Sequence, residues 1–174
     1  DKHSLYKDNM AKKAIVMGAT SGIGMEVAKL LAAKGWQVGI AGRRIERLQA
    51  LMTDGIACYQ QIDVTSANAP HLLQQLIDKL GGMDLYFHSS GIGWQNNLLD
   101  IEKELKTVET NGMGFTRMVD TAFNWFAAHT TKTENKHTYR IACITSIAGT
   151  KGLGAAPAYS ATKRFQNHYM VCLA

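Results

Sequence analysis

The chain has 174 residues, 46% of them hydrophobic, and a formal net charge of +5. That length suits one domain with a sizeable core, and no apolar run approaches the roughly 20 residues that a membrane-spanning helix needs. The basic residues are scattered apart from Arg43-Arg44 and the stretch Lys132 to Arg140, so neither a membrane nor a nucleic acid is an expected partner.

Residues 1–10 are polar and mixed in charge, unlike a secretory signal, and are set apart from the fold as a leader. Ala14 to Met17 is a short apolar run before glycines and reads as a buried strand. Ile23 to Lys34 carries Ile23, Val27, Leu30 and Leu31 at helical spacing and ends at Gly35, a natural C-terminal cap. Trp36 to Ala41 reads as a strand, Arg44 to Met52 as a helix, and Ile56 to Ile62 as a third strand. Ser66 to Leu80 reads as a helix stopped by Gly81-Gly82, and Leu85 to Phe87 as a fourth strand. A long helix is predicted from about Asp100 to Ala128, interrupted at Gly112 and Gly114, which either bend it or allow close packing. After a polar loop, Ile141 to Thr145 reads as a fifth strand, and Pro157 opens a last helix through Tyr159 and Lys163 towards Leu173. This alternation predicts an α/β fold: a doubly wound parallel sheet with helices on both faces, a single dinucleotide-binding catalytic domain over residues 11–174. Phe115, Met118, Phe123 and Phe126 fit either the core or an interface.

Cys58, Cys143 and Cys172 are far apart and odd in number, and the histidines lack ligand spacing. A disulfide framework and a zinc site are not expected, and a reducing cytoplasm is.

Gly18-Ala19-Thr20-Ser21-Gly22-Ile23-Gly24 lies between the first strand and the first helix. Glycines there permit a tight turn and let backbone N–H groups approach a pyrophosphate, with the helix N-terminus facing the anion. The end of the second strand, where an acid would bind the ribose of NAD, carries Gly42 followed by Arg43 and Arg44. Guanidinium groups bind a 2′-phosphate, so NADP (as NADPH) is expected over NAD; the plain alternative is that both arginines solvate the next helix. Asp63, with Val64 beside it, ends the third strand within reach of the adenine, or else Asp63 or Ser66 caps the next helix. Gly91 follows the fourth strand at another strand end.

Tyr159 and Lys163 are four residues apart and share a helix face. A neighbouring ammonium favours a phenolate, the tuning expected of a catalytic acid/base. Ser146, at the end of the fifth strand, suits a hydrogen bond to a substrate oxygen. Asn111 is a poor interior helix residue; it binds a water or an interrupted carbonyl, or makes a simple local hydrogen bond. A serine hydrolase is disfavoured, since no G-x-S-x-G elbow occurs.

As a set these motifs closely resemble the short-chain dehydrogenase/reductase family, a Rossmann fold, over about Lys13 to Ala174. The family's glycine motif corresponds to Gly18, Gly22 and Gly24, its strand-end acid to Asp63, and its catalytic group to Asn111, Ser146, Tyr159 and Lys163. The resemblance implies Tyr159 as general acid/base and Lys163 as the cation that favours its phenolate and binds the nicotinamide ribose. It implies Ser146 as the group that polarises a substrate carbonyl, and Asn111 as holder of a water in a proton relay. The implied activity is NADPH-linked interconversion of a small-molecule carbonyl and alcohol, in a homodimer or homotetramer. A non-catalytic NADP-binding sensor or scaffold is the alternative.

Three departures stand out. Met17 replaces the threonine that usually opens the glycine motif, and His88-Ser89-Ser90-Gly91 replaces Asn-Asn-Ala-Gly; His88 is expected to be a satisfied structural histidine. Family members also continue past the last helix with two strands and a mobile segment. The expectation is that this chain is truncated after the catalytic helix, or that its fifth strand is a true edge.

Overall fold

The computed structural model describes residues 11–130 and 138–174. The leader 1–10, and residues 131–137 of the polar loop, lie outside the described residues.

Five parallel strands form one sheet in the order β3-β2-β1-β4-β5: β1 Lys13–Met17, β2 Gln37–Gly42, β3 Cys58–Gln61, β4 Leu85–His88 and β5 Arg140–Cys143. The order reverses between β1 and β4, where Met17 pairs with His88. A crevice opens beyond the carboxyl ends of strands at such a reversal, and the turns after β1 and β4 both lie there. The register β1–β2 runs from Lys13 opposite Gln37 to Met17 opposite Ala41.

Helices cover both faces, as expected of a parallel sheet. On one face α1 (Gly22–Ala33) and α2 (Ile45–Leu51) cover Val16, Val38 and Ile40. On the other, α3 (Ala69–Leu80) and α5 (Phe115–His129) pack on Ile15, Met17 and Tyr86, with Tyr169 and Met170 of α6 (Pro157–Leu173) against the same cluster. Phe115, Met118 and Phe126 belong to this core, whereas Phe123 is exposed. The choice between core and interface thus falls on core for three of these four.

Several boundaries shift from the sequence expectation. The third strand is Cys58–Gln61 rather than 56–62; the buried Ile56 and Ile62 lie just beyond its ends. The third helix starts at Ala69 rather than Ser66, because the Ser66 hydroxyl accepts from Asn68 N in a turn and Pro70 opens the helix. The fifth strand ends at Cys143, since the chain turns at Ser146 into a short 3-10 turn, Ile147–Gly149. The long helix is continuous but not uniform: α4 (Ile101–Val108) and α5 flank a π-helical segment, Glu109–Gly114. Gly114 sits where a Cβ would come within 2.7 Å of Val64 Cγ2, so this segment presses on the end of the third strand.

Among the described residues no helix is long and apolar enough to cross a membrane. None of the described residues gathers into a group of three or more His, Cys, Asp or Glu able to hold a metal ion.

Candidate active site

The turn after β1 is built on two left-handed glycines, Gly18 (φ 86°) and Gly22 (φ 58°). A Cβ on Gly18 would lie 2.6 Å from Ser90 N, so glycine lets the turn touch the loop after β4. Gly24 lets α1 pack against the carbonyl of Gly18. No carbon would meet a Cβ on Gly22 within 4 Å, which leaves the start of α1 open. Gly18, Thr20, Ser21, Gly42, Arg43, Arg44, Asp63, Val64 and Gly91 line one cleft, together with Ser89, Ser90, Ile92 and Thr110. Ile23 projects from the same turn and is exposed.

The cationic end of that cleft is ordered. Arg44 Nη2 donates to Thr20 Oγ1 and Ser21 Oγ, both at 2.7 Å, and Arg44 Nε also reaches Thr20 Oγ1 at 3.1 Å. Arg47, which the sequence reading passed over, donates to Thr20 O at 3.4 Å. Arg43 is held by its backbone, its carbonyl accepting from Gln61 Nε2 at 2.8 Å. A Cβ on Gly42 would lie 2.7 Å from Thr20 Cγ2, so this position has no room for a side chain while Thr20 stays in place. The Asp63 carboxylate turns to Thr65, accepting from its N at 3.0 Å and its Oγ1 at 2.8 Å. It closes a local turn, and the residue preceding α3 is Asn68, so neither Asp63 nor Ser66 caps that helix.

Asn111 lies where the π segment meets α6, the helix that carries Tyr159 and Lys163. Asn111 is fully buried. Its side chain clamps the loop after β4: Oδ1 accepts from Ile92 N at 2.9 Å, and Nδ2 donates to Ile92 O at 2.7 Å and Thr162 Oγ1 at 3.2 Å. Its carbonyl accepts from Gln166 Nε2 at 2.9 Å. Lys163 Nζ donates to Ile144 O at 3.1 Å and to Gln166 Oε1 at 3.0 Å. Burial pulls the Lys163 pKa below the ordinary lysine value, with the Cys143 thiol acting the other way. A Cβ on Gly91 would lie 3.3 Å from Lys163 Nζ, so the loop after β4 passes close over the ammonium.

Tyr159 stands beside this cation, with Lys163 Nζ 5.8 Å from its ring centroid. Its ring lies on Gly93, where a Cβ would come within 2.7 Å of Tyr159 Cγ. Ser146 Oγ accepts from Ala148 N at 3.1 Å, and among the described residues no hydrogen bond joins Ser146 to Tyr159. Asn111 and Lys163 thus both approach Gly91, and Tyr159 lies beside Lys163, while Ser146 caps the 3-10 turn after β5.

Residues not singled out in the sequence hold these in place. Glu104 of α4 caps α6, accepting from Ala158 N at 2.9 Å through Oε2 and from the buried Asn96 Nδ2 at 2.7 Å through Oε1. A carboxylate at a helix N-terminus is favoured by the helix dipole, and this one fixes the turn that carries Tyr159. Ser160 Oγ lies 2.6 Å from Ala148 O and ties α6 to the loop after Ser146. Gly149 allows that loop to pack on Lys163, since a Cβ there would be 2.8 Å from the Lys163 carbonyl.

His88 ends β4, with only 1% of its surface exposed. One ring nitrogen, Nδ1, lies 2.8 Å from the Tyr86 hydroxyl, but Nε2 has no partner among the described residues, so the expected satisfied histidine is only half satisfied. Burial, with Lys163 nearby, lowers its pKa to about 3 and keeps the ring neutral.

The short chain dehydrogenase family model matches residues 12–174. An uncharacterised oxidoreductase of Myxococcus xanthus is 33% identical over 168 residues, covering 93% of this chain and 64% of that protein. L-2,3-butanediol dehydrogenase of Corynebacterium glutamicum is 30% identical, covering 88% of this chain and 61% of that protein. Among solved structures, a short-chain type dehydrogenase/reductase from Mycobacterium marinum superposes with a TM-score of 0.82 at 25% identity, covering 94% of this chain and 68% of that one. An actinorhodin polyketide ketoreductase variant with NADPH gives 0.75 at 29% identity, covering 88% of this chain and 60% of that one. The chain thus spans about three-fifths of the length of the curated relatives it matches.

Proposed function

Because the chain belongs to the short-chain dehydrogenase family, we propose that it is an NADP-dependent oxidoreductase that interconverts a carbonyl and an alcohol. The observation that carries this reading is the approach of Asn111 and Lys163 to Gly91, and of Tyr159 to Gly93, in a loop whose Gly91 also lines the glycine-turn cleft. When bound, NADPH supplies the hydride that reaches the carbonyl carbon. Tyr159 gives the carbonyl oxygen its proton in reduction and takes it back in oxidation. Ser146 Oγ already accepts from Ala148 N, so its own hydrogen is left to donate to the substrate oxygen. Lys163 spends two N–H groups on Ile144 and Gln166 and keeps one for the cofactor ribose. Asn111 positions the loop that carries Gly91 and Ile92 through its bonds to Ile92.

Two features support NADP over NAD. Thr20 closes the space a Cβ would need at Gly42, where an acid would otherwise bind the ribose. Arg44 lies across the Thr20 and Ser21 hydroxyls, in the cleft that Arg43 also lines, and guanidinium groups bind a phosphate through paired hydrogen bonds. The preserved shape of Gly18, Gly22 and Gly24 fits the pyrophosphate. Asp63 and Val64 also line the cleft and would adjoin the adenine. Trp94, Leu98, Leu99 and Leu153 are exposed apolar residues in the two loops flanking the site, which suits a neutral small-molecule substrate. Val108, Met113 and Phe165 form an exposed apolar face on the π segment and its neighbours, consistent with assembly into a homodimer or homotetramer.

The test is Tyr159→Phe in the complete protein. It keeps NADPH binding and loses most turnover against a panel of ketones and aldehydes. Unchanged turnover removes Tyr159 from its role. Tight NADPH binding by the unmodified protein with no turnover of any carbonyl favours a sensor or scaffold instead.

A further inference from the structure

The role of Gln166 follows from its two hydrogen bonds. It lies one turn beyond Lys163 on α6 and is 1% exposed. Burying an amide costs free energy unless its polar ends are paired, so its partners are informative. Both of its ends are used: Oε1 accepts from Lys163 Nζ at 3.0 Å, and Nε2 donates to the Asn111 carbonyl at 2.9 Å. Only one orientation of the amide is possible, because the reversed one would set its N–H groups against an ammonium and its oxygen against a carbonyl.

We infer that Gln166 is a positioning residue that ties the Lys163 ammonium to the π segment through the carbonyl of Asn111. The inference rests on the proposed reaction for its catalytic meaning. Among the described residues Lys163 makes no ion pair, so Gln166 is the one side chain that accepts a hydrogen bond from it. The titratable groups around it are Tyr159 on its own helix, the Cys143 thiol on β5 and the neutral His88 on β4. None of these is a carboxylate. Gln166 therefore supplies the acceptor that keeps a buried ammonium charged and aimed, and it does so while closing, with protein atoms alone, the path from the cation to Asn111. A side chain that merely filled space would leave the proton affinity of Lys163 untouched.

The experiment uses the complete protein with 13Cε-labelled lysine and reads the titration midpoint of Lys163 by NMR, in parallel with the pH profile of NADPH-dependent carbonyl reduction. Gln166→Met removes an acceptor from the charged form and lowers the midpoint by about one pH unit. Gln166→Glu keeps an acceptor, adds negative charge and raises it. The alkaline limb of the rate profile moves the same way in each variant, and kcat of Gln166→Met falls roughly ten- to a hundredfold. Should Gln166→Met fail to fold, the Glu variant decides alone. A Lys163 midpoint unmoved by substitution overturns the inference. If the unmodified protein reduces no carbonyl, the proposed reaction fails, while the midpoints still decide whether Gln166 sets the state of Lys163.

Discussion

Replacing Gly42 by aspartate tests the reading of the cofactor cleft at its tightest point. The new Cβ falls 2.7 Å from Thr20 Cγ2, so Thr20 has to give way. Arg44 loses its seat with it, since two of its contacts end on Thr20 Oγ1. The carboxylate then sits where the proposal places the 2′-phosphate, and offers Arg44 an alternative partner. Two unit charges about 5 Å apart at an effective dielectric near 20 interact by roughly 3 kcal/mol. The cleft opens to solvent, and screening halves that figure at least, while a phosphate carrying about 1.5 to 2 charges restores part of it. A net loss of about 2–3 kcal/mol remains, or roughly 30- to 150-fold in NADPH affinity. NADH, which has no 2′-phosphate, escapes this repulsion and gains an acceptor for its ribose hydroxyl. Dissociation constants for both cofactors, followed by reduced-nicotinamide fluorescence, give the ratio directly. If Gly42→Asp leaves the NADPH-to-NADH preference within experimental error of the unmodified protein, the cleft does not recognise a 2′-phosphate and the geometric argument fails.

Asn111→Ala removes three side-chain hydrogen bonds and leaves the N–H and carbonyl of Ile92, both partly buried, without these partners. At about 1 kcal/mol per bond the expected loss is roughly 3 kcal/mol in urea unfolding; a loss indistinguishable from zero would mean the loop does not depend on this clamp. His88 gives the protein an acid sensitivity. Its folded pKa is about 3 against an unfolded value of 6.5, so its neutral burial is fully accommodated above pH 6.5. Between those values the unfolded chain takes up the proton and stability is lost as pH falls. By about pH 4.5 this amounts to roughly 3 kcal/mol relative to neutral pH, and His88→Leu should flatten that part of the stability curve. An acid limb as steep in the variant as in the parent would show that other groups carry it.

Much of the architecture was legible in the chain itself. Short, largely apolar segments marked the strands, the first of them ended by Gly18, and helical spacing with Gly35 and Gly81 as stops marked the helices on either side. Tyr159 and Lys163 were readable because helix periodicity joins them within one turn. Where elements begin was harder to read, as at α3, because Asp63, Thr65 and Ser66 form turns that compete with the helix through their side chains. The supporting residues were hidden for a different reason. Gln166 meets Asn111 across 55 positions, and Glu104 meets Ala158 across 54, so no local pattern couples them. The available signal was compositional: Gln166 repeats the face of Lys163 three residues on, a polar residue where that face turns inward. Thr20 was read as part of the glycine turn, but its role in closing Gly42 needs the spacing between two strands.

The π segment has a consequence for how this chain can change. A helix advances about 100° per residue, so each residue added to or removed from a helix rotates everything after it. Glu109–Gly114 works as a phase shifter between α4, whose Ile101 and Leu105 are exposed, and α5, whose Phe115, Met118, Ala122 and Phe126 fill the core. Winding all six residues as regular α-helix would swing that apolar stripe by about a quarter-turn towards solvent. It would also turn Asn111 away from both Ile92 and Gln166. The winding of this stretch is therefore matched to its length: six residues keep the phase of α5 only in the π form, and one residue fewer would keep it as regular α-helix.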